Sequence, residues 1–146
     1  MGKGKHGKII RNSIPISSKQ IPEVAIPPDE FLKFSFKHLD LLTNKKFSLR
    51  LCATGYLDKF LNRLRDICGV KVSDFREGKS PSLRGHAIAW GDTTEKGGFT
   101  CLNKQLRAMQ AWQFEITSNK HGRVHGVLLD NIFYVVWIDP CHKLYE

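Results

Sequence analysis

A chain of 146 residues with 41% hydrophobic residues, nine Phe and three Trp suffices for one domain with a genuine core. No run approaches the roughly 20 apolar residues of a membrane span, and the basic start lacks a signal peptide's apolar segment. A soluble, cytoplasmic protein with no membrane partner is therefore expected. The formal charge of +9 divides into +4 over residues 1–28 (five Lys/Arg against Glu23) and +5 over the rest (18 Lys/Arg against 13 Asp/Glu), which favours a polyanionic partner such as nucleic acid.

Residues 1–28 read as an extended basic tail, with Lys3, Lys5, Lys8 and Arg11 available to phosphates. They carry four prolines and no sustained period. One domain is expected over 29–146. In "FLKFSFKH", Leu32, Phe34 and Phe36 alternate with Lys33, Ser35 and Lys37, the period of a strand with one buried face. "KFSLRL" at 46–51 alternates in the same way and reads as a second short strand.

Tyr56, Leu57, Phe60, Leu61, Leu64, Ile67 and Cys68 fall at steps of three and four and form the apolar stripe of a helix over 56–68. Thr54 is its expected cap, and Gly69 the expected left-handed residue beyond its end. Residues 70–98 read as loop, with a short strand at His86–Trp90, and "TCLNKQLRAM" reads as a short helix. Cys52, Cys68, Cys101 and Cys141 form no C-x-x-C pair, so buried or half-buried thiols are expected and no metal site.

Three strands follow: "WQFEI" (112–116), "RVHGVLL" (123–129) and "IFYVVWI" (132–138). Asp130-Asn131 fits a two-residue type I′ turn. The resulting register sets Leu129 opposite Ile132, Val127 opposite Tyr134, His125 opposite Val136 and Arg123 opposite Ile138. Val124, Gly126, Leu128, Phe133, Val135 and Trp137 then share one face. The other holds Val127, Leu129, Ile132, Tyr134, Val136 and Ile138, with Arg123 and His125 at its open end. Both faces are mostly apolar, so the hairpin belongs in the middle of the fold, covered on both sides. Pro140 stops the last strand and turns the chain, bringing His142, Lys143 and Tyr145 back toward Arg123 and His125.

Such a cluster suits RNA cleavage by 2′-hydroxyl attack. That reaction needs a base, a proton donor to the leaving oxygen and a cation on the phosphate, roles that His, Lys, Arg and Tyr fill without metal or other cofactor. Arg123, His125, His142 and Tyr145 are the candidate catalytic residues, and Lys120, His121 and Lys143 the neighbouring candidates for RNA contact.

"WQFEITSNKHGRVHGVLL…FYVVWID…HKLY" resembles the end of a small RelE/ParE-like toxin. The resemblance implies an α+β fold in which helices precede an antiparallel sheet. It also implies mRNA cleavage, Arg123 as the sheet arginine, and His142 or Tyr145 as the terminal catalytic residue. A ribosome or a cognate protein partner follows from the same resemblance. The chain departs from that family in its long irregular middle, its single clear helix and its basic tail. Two other readings stand beside this one. The first is a non-catalytic nucleic-acid-binding module using Lys/Arg with Trp90 and Trp112; the second is a partner-binding protein with an open sheet edge.

Overall fold

The computed structural model describes residues 30–79, 84–118 and 120–145; the expected basic tail, with Lys3, Lys5, Lys8 and Arg11, lies outside the described residues. The fold is α+β. Five strands, β1 (Lys33–Ser35), β2 (His86–Ala87), β3 (Ala111–Glu115), β4 (Arg123–Leu129) and β5 (Ile132–Asp139), form one sheet in the order β1-β5-β4-β3-β2. Among the described residues three α-helices accompany it: α1 (Tyr56–Ile67), α2 (Val72–Arg76) and α3 (Lys104–Arg107). Among the described residues no helix is long and apolar enough to cross a membrane.

The sheet is mixed, which corrects the antiparallel expectation. β2 through β5 run antiparallel to their neighbours, but β1 lies parallel to β5, with Phe34 opposite Phe133. Alternation identifies a strand without giving its direction. Here the return from β1 to the sheet passes through α1 and the long middle of the chain, a crossover that permits parallel pairing.

β4 and β5 begin pairing with Leu129 opposite Ile132 and Val127 opposite Tyr134, then slip by one residue at a bulge beside Gly126. Beyond it His125 faces Trp137 and Arg123 faces Asp139, in place of the expected Val136 and Ile138. The extra residue in β5 is Val136. The bulge re-aims everything after it: Trp137 joins the face of Val127, while Ile138 crosses to the face of Val124. A Cβ on Gly126 would overlap the carbonyl oxygen of Tyr134, so the close approach of the two strands here requires glycine. At the turn only Asp130 has positive φ, 53°, so the loop is not the type I′ that needs it at both residues.

Both faces of the sheet are covered. On one, α1 buries Tyr56, Phe60, Leu64 and Ile67 against Phe114, Val124, Leu128, Phe133, Val135 and Ile138. The stripe is rotated from the expected one: Leu57 and Leu61 are 64% and 54% exposed. Seven apolar residues make a stripe wider than the sheet can cover, and the buried row is the one at steps of four, four and three. Leu57 instead flanks an apolar groove of about 400 Å³ with Phe36, Leu49 and Phe60. On the other face irregular chain supplies the cover: Phe47, Ile88, Phe99 and Leu144 pack on Val127, Val136 and Trp137. Phe47 stacks on Trp137 at 4.5 Å.

Several local expectations are corrected. "KFSLRL" forms two 3-10 turns, Lys45–Phe47 and Leu49–Leu51, because Asn44 and Ser48 side chains accept from the backbone N–H groups of Lys46 and Arg50. Helix α1 starts after Gly55, at φ 81°, with no side-chain cap from Thr54. It closes with backbone bonds from Cys68, and Gly69 is not left-handed. Within the expected loop lies α2, whose Phe75 buries its ring against Trp112 and Phe133. The expected strand at His86–Trp90 ends at Ala87, and Trp90–Asp92 is a 3-10 turn. Cys68, Cys101 and Cys141 are exposed and Cys52 is half-buried, all four as free thiols.

Candidate active site

Two rows of side chains cross one face of the sheet at the end where β4 begins. In the first, His86 on β2 stands opposite Gln113 on β3, Gln113 opposite His125 on β4, and His125 opposite Trp137 on β5. In the second, Glu115 stands opposite Arg123, and Arg123 opposite Asp139. The strand period of two puts the members of each row on the same face, and the bulge brings Asp139 onto it. After Asp139 the chain turns at Pro140 and His142, whose φ is 56°, and folds back over the rows.

A cavity of about 260 Å³ lies between the rows and this turn, lined by His86, Gln113, Arg123, Asp139, His142 and Tyr145. The structure thus brings together Arg123, His142 and Tyr145, three of the four candidate catalytic residues. The fourth, His125, is fully buried beneath the cavity, under Phe47 and beside Trp137, and does not line it. The backbone of Lys143 belongs to the turn. His121 is separate, bonded to Thr117 Oγ1 at 2.7 Å and facing Tyr56 across 6.0 Å, and Lys120 is exposed.

The turn is held by Asp139. Its Oδ1 accepts the backbone N–H of Lys143 at 2.8 Å, and its Oδ2 accepts that of Leu144 at 3.0 Å and Nε2–H of His125 at 3.3 Å. Burial pushes the Asp139 carboxyl up, but the hydrogen bonds from His125 and from the two backbone N–H groups outweigh it, so its pKa lies below the usual value. Burial lowers the His125 pKa by more than Asp139 restores. The pair is therefore a neutral imidazole donating to a carboxylate. Gly122, at φ 75°, packs so closely under the turn that a Cβ would overlap the Asp139 carbonyl oxygen.

Arg123 is fixed by Glu115, whose Oε1 lies 2.7 Å from Nη2, and Arg84 approaches the same oxygen at 3.4 Å. The side chain of Glu115 is only 3% exposed, so its charge is compensated by these guanidinium groups. Arg63 Nε donates to its backbone carbonyl at 2.7 Å.

His86 has a defined tautomer. Its Nδ1 lies 3.0 Å from the carbonyl of Ala87, which only accepts, so Nδ1 carries the proton. The Nε2 lone pair then accepts from Gln113 Nε2 at 2.6 Å. Two buried polar atoms of the cavity residues, Gln113 Oε1 and His142 Nε2, have no partner among the described residues. Unpaired buried atoms are costly to maintain, and these two are free to meet a bound molecule or water. Burial and the charge of Asp92 raise the Tyr145 pKa, so its hydroxyl keeps its proton. Among the described residues no three His, Cys, Asp or Glu side chains are placed to hold a metal ion.

Sequence reasoning missed His86, Gln113, Glu115 and Asp139. Gln113 and Glu115 carried a signal: two polar residues at i and i+2 inside "WQFEI" must share a face, and an antiparallel neighbour places them beside His125 and Arg123. Compared with protein-family models, with curated proteins and with solved structures, the chain matches none.

Proposed function

We propose that this protein cleaves RNA without a metal, in the manner of RelE/ParE-like toxins. The observation that supports this reading is the single cavity lined by two imidazoles, a guanidinium and a phenol: His86, His142, Arg123 and Tyr145. In the proposed reaction one imidazole takes the proton of a 2′-hydroxyl as its oxygen attacks the adjacent phosphorus. The bond from phosphorus to the 5′ oxygen breaks, and the other imidazole or Tyr145 protonates that oxygen. The products are a 2′,3′-cyclic phosphate and a 5′-hydroxyl. Arg123 faces the charge that grows on the phosphoryl oxygens. His125 has no access to substrate and acts through Asp139, which holds the turn carrying His142 and Tyr145. The substrate in this reading is mRNA, free or on a ribosome, and a cognate protein partner would regulate the activity.

The pairing of Arg123 with Glu115 offsets much of the charge it could set against a growing phosphoryl charge, and a second reading stands beside cleavage: a non-catalytic nucleic-acid-binding module that uses the chain's other cations. Cleavage of mRNA with chelator present separates the two. The parent protein should cut, leaving cyclic phosphate ends, and His142→Gln should cut at least about a hundredfold more slowly. A parent that binds RNA and leaves it intact, in extracts and on ribosomes, would establish the binding module instead.

A further inference from the structure

A second pocket, of about 340 Å³, is lined by Trp90, Lys96, Gly97, Gly98, Lys104, Arg107 and Ala108. Three cations and an indole line it together. Arg107 donates to the carbonyl of Gly97 at 3.2 Å, which seats its guanidinium at the pocket. Lys96 and Lys104 make no ion pair among the described residues. The neighbouring carboxylate, Glu95, is turned to Lys46 at 2.8 Å, so it does not neutralise the cluster. Trp90 is half-buried: Phe99 packs edge-on at 4.8 Å and Trp137 at 6.0 Å, and the Gly98 backbone lies so close to the indole that a Cβ would crowd it at 3.1 Å. A rigidly backed aromatic face beside unpaired cations is the chemistry that binds a single-stranded polynucleotide, one group stacking on a base and the others meeting phosphates.

The loop that lines the pocket is hydrogen-bonded to the turn that lines the cavity. Thr94, in the same 90–98 loop, donates from its backbone N–H to Leu144 O and from Oγ1 to Lys143 O, both at 2.8 Å. The loop and the turn bearing His142 and Tyr145 are thus bonded into one ledge. We propose that Trp90, Lys96, Lys104 and Arg107 form a subsite for single-stranded RNA, which guides the strand along this ledge to the cavity. The inference rests on the proposed function for its choice of RNA, while binding at the pocket is separable from cutting.

The test is equilibrium binding of a short single-stranded 2′-fluoro oligoribonucleotide, which offers no 2′-hydroxyl for attack, to the full chain across a salt series. Combined Lys96→Ala, Lys104→Ala and Arg107→Ala should weaken binding at least about tenfold, and should flatten the slope of log K against log salt by about 2 for three lost phosphate contacts. Trp90→Phe, which keeps an aromatic in place, should weaken binding by less and abolish most of the ligand-induced quenching of indole fluorescence. Removing three exposed cations from the helical side, Lys59, Arg65 and Lys71, is the control of equal charge and should change affinity much less. A triple variant that binds like the parent, or a control that loses as much, overturns the proposal. So does a heparin fragment that binds as tightly as RNA while Trp90→Phe has no effect, since charge alone then suffices. Parent and His142→Gln binding alike through the pocket with neither cutting RNA would leave the subsite standing and end the cleavage reading. A parent that cuts RNA while the triple variant binds undiminished would do the reverse.

Discussion

His125 donates to Asp139 across 3.3 Å with both side chains closed off from solvent, so the chain's stability must follow pH. Burial depresses the His125 pKa, and the folded protein keeps this imidazole neutral. The unfolded chain takes up the proton near the ordinary histidine value of about 6.5. As pH falls through that value the unfolded state binds more protons and stability drops. Asp139, held below the usual carboxylate range, contributes stability present above that range and lost as pH falls through its folded value. The unfolding midpoint of the parent should therefore fall between about pH 7.5 and pH 5, and fall less in His125→Gln, with a further drop below about pH 4 in both. Parallel pH profiles for parent and His125→Gln would show that this imidazole is not the source.

Arg123 has a structural duty as well as a proposed chemical one. Glu115 is buried, and losing the guanidinium 2.7 Å away leaves it with the longer contact to Arg84 and the charge of Arg63. Arg123→Ala should cost about 3 kcal/mol of stability, the penalty of an undercompensated buried charge. Adding Glu115→Gln removes that charge and should restore most of the loss in a denaturant titration. RNA cleavage should stay down in the double variant by at least about a hundredfold. Recovery of cleavage together with stability would mean that Arg123 serves only the fold.

Gly126 sits where β5 bulges, and a side chain there would strike the backbone of Tyr134. Gly126→Ala should destabilise the protein by about 3 kcal/mol, since neither strand can retreat without opening the sheet. It should also disturb the face of Trp137 and Asp139, so the near-ultraviolet circular dichroism of the tryptophans should change along with the midpoint. An alanine variant with unaltered stability would show that the strands part more easily than the packing implies.

The same glycine explains what the sequence made legible and what it hid. Strand existence followed from alternation, and β4 and β5 fall where the β-branched runs are. Register past Gly126 did not follow, because a bulge moves every later side chain to the opposite face. That one-residue slip placed Ile138 opposite Arg123 on paper and Asp139 there in the fold. The convergence of Arg123, His142 and Tyr145 was legible because Pro140 forces a turn whatever the register. His125 was misjudged as accessible: its polarity suggested an open end, whereas Phe47, from a segment read as a strand, closes over it. His86 was hidden because β2 is two residues long, and its place depends on pairing with β3.

His86 is therefore the site residue whose role the fold alone suggests, and its partner Gln113 allows the role to be tested. The 2.6 Å contact with Gln113 and the Ala87 carbonyl at 3.0 Å together orient the ring, with Nδ1 toward the carbonyl and Nε2 toward the amide. Nε2 is then the basic nitrogen at the cavity, available once substrate displaces the amide. If His86 exchanges protons with substrate, His86→Ala should slow cleavage about a hundredfold or more. Gln113→Leu should slow it by less, about tenfold, because the imidazole remains and only its orientation is loosened. His86→Ala also takes the partner from the buried Gln113 amide, so the unfolding midpoint is compared with that of His86→Ala/Gln113→Leu, which removes the orphaned amide and separates a chemical loss from a structural one. Equal losses in the two single variants would make His86 an anchor for Gln113, and undiminished cleavage in His86→Ala would leave His142 and Tyr145 as the proton-transfer groups.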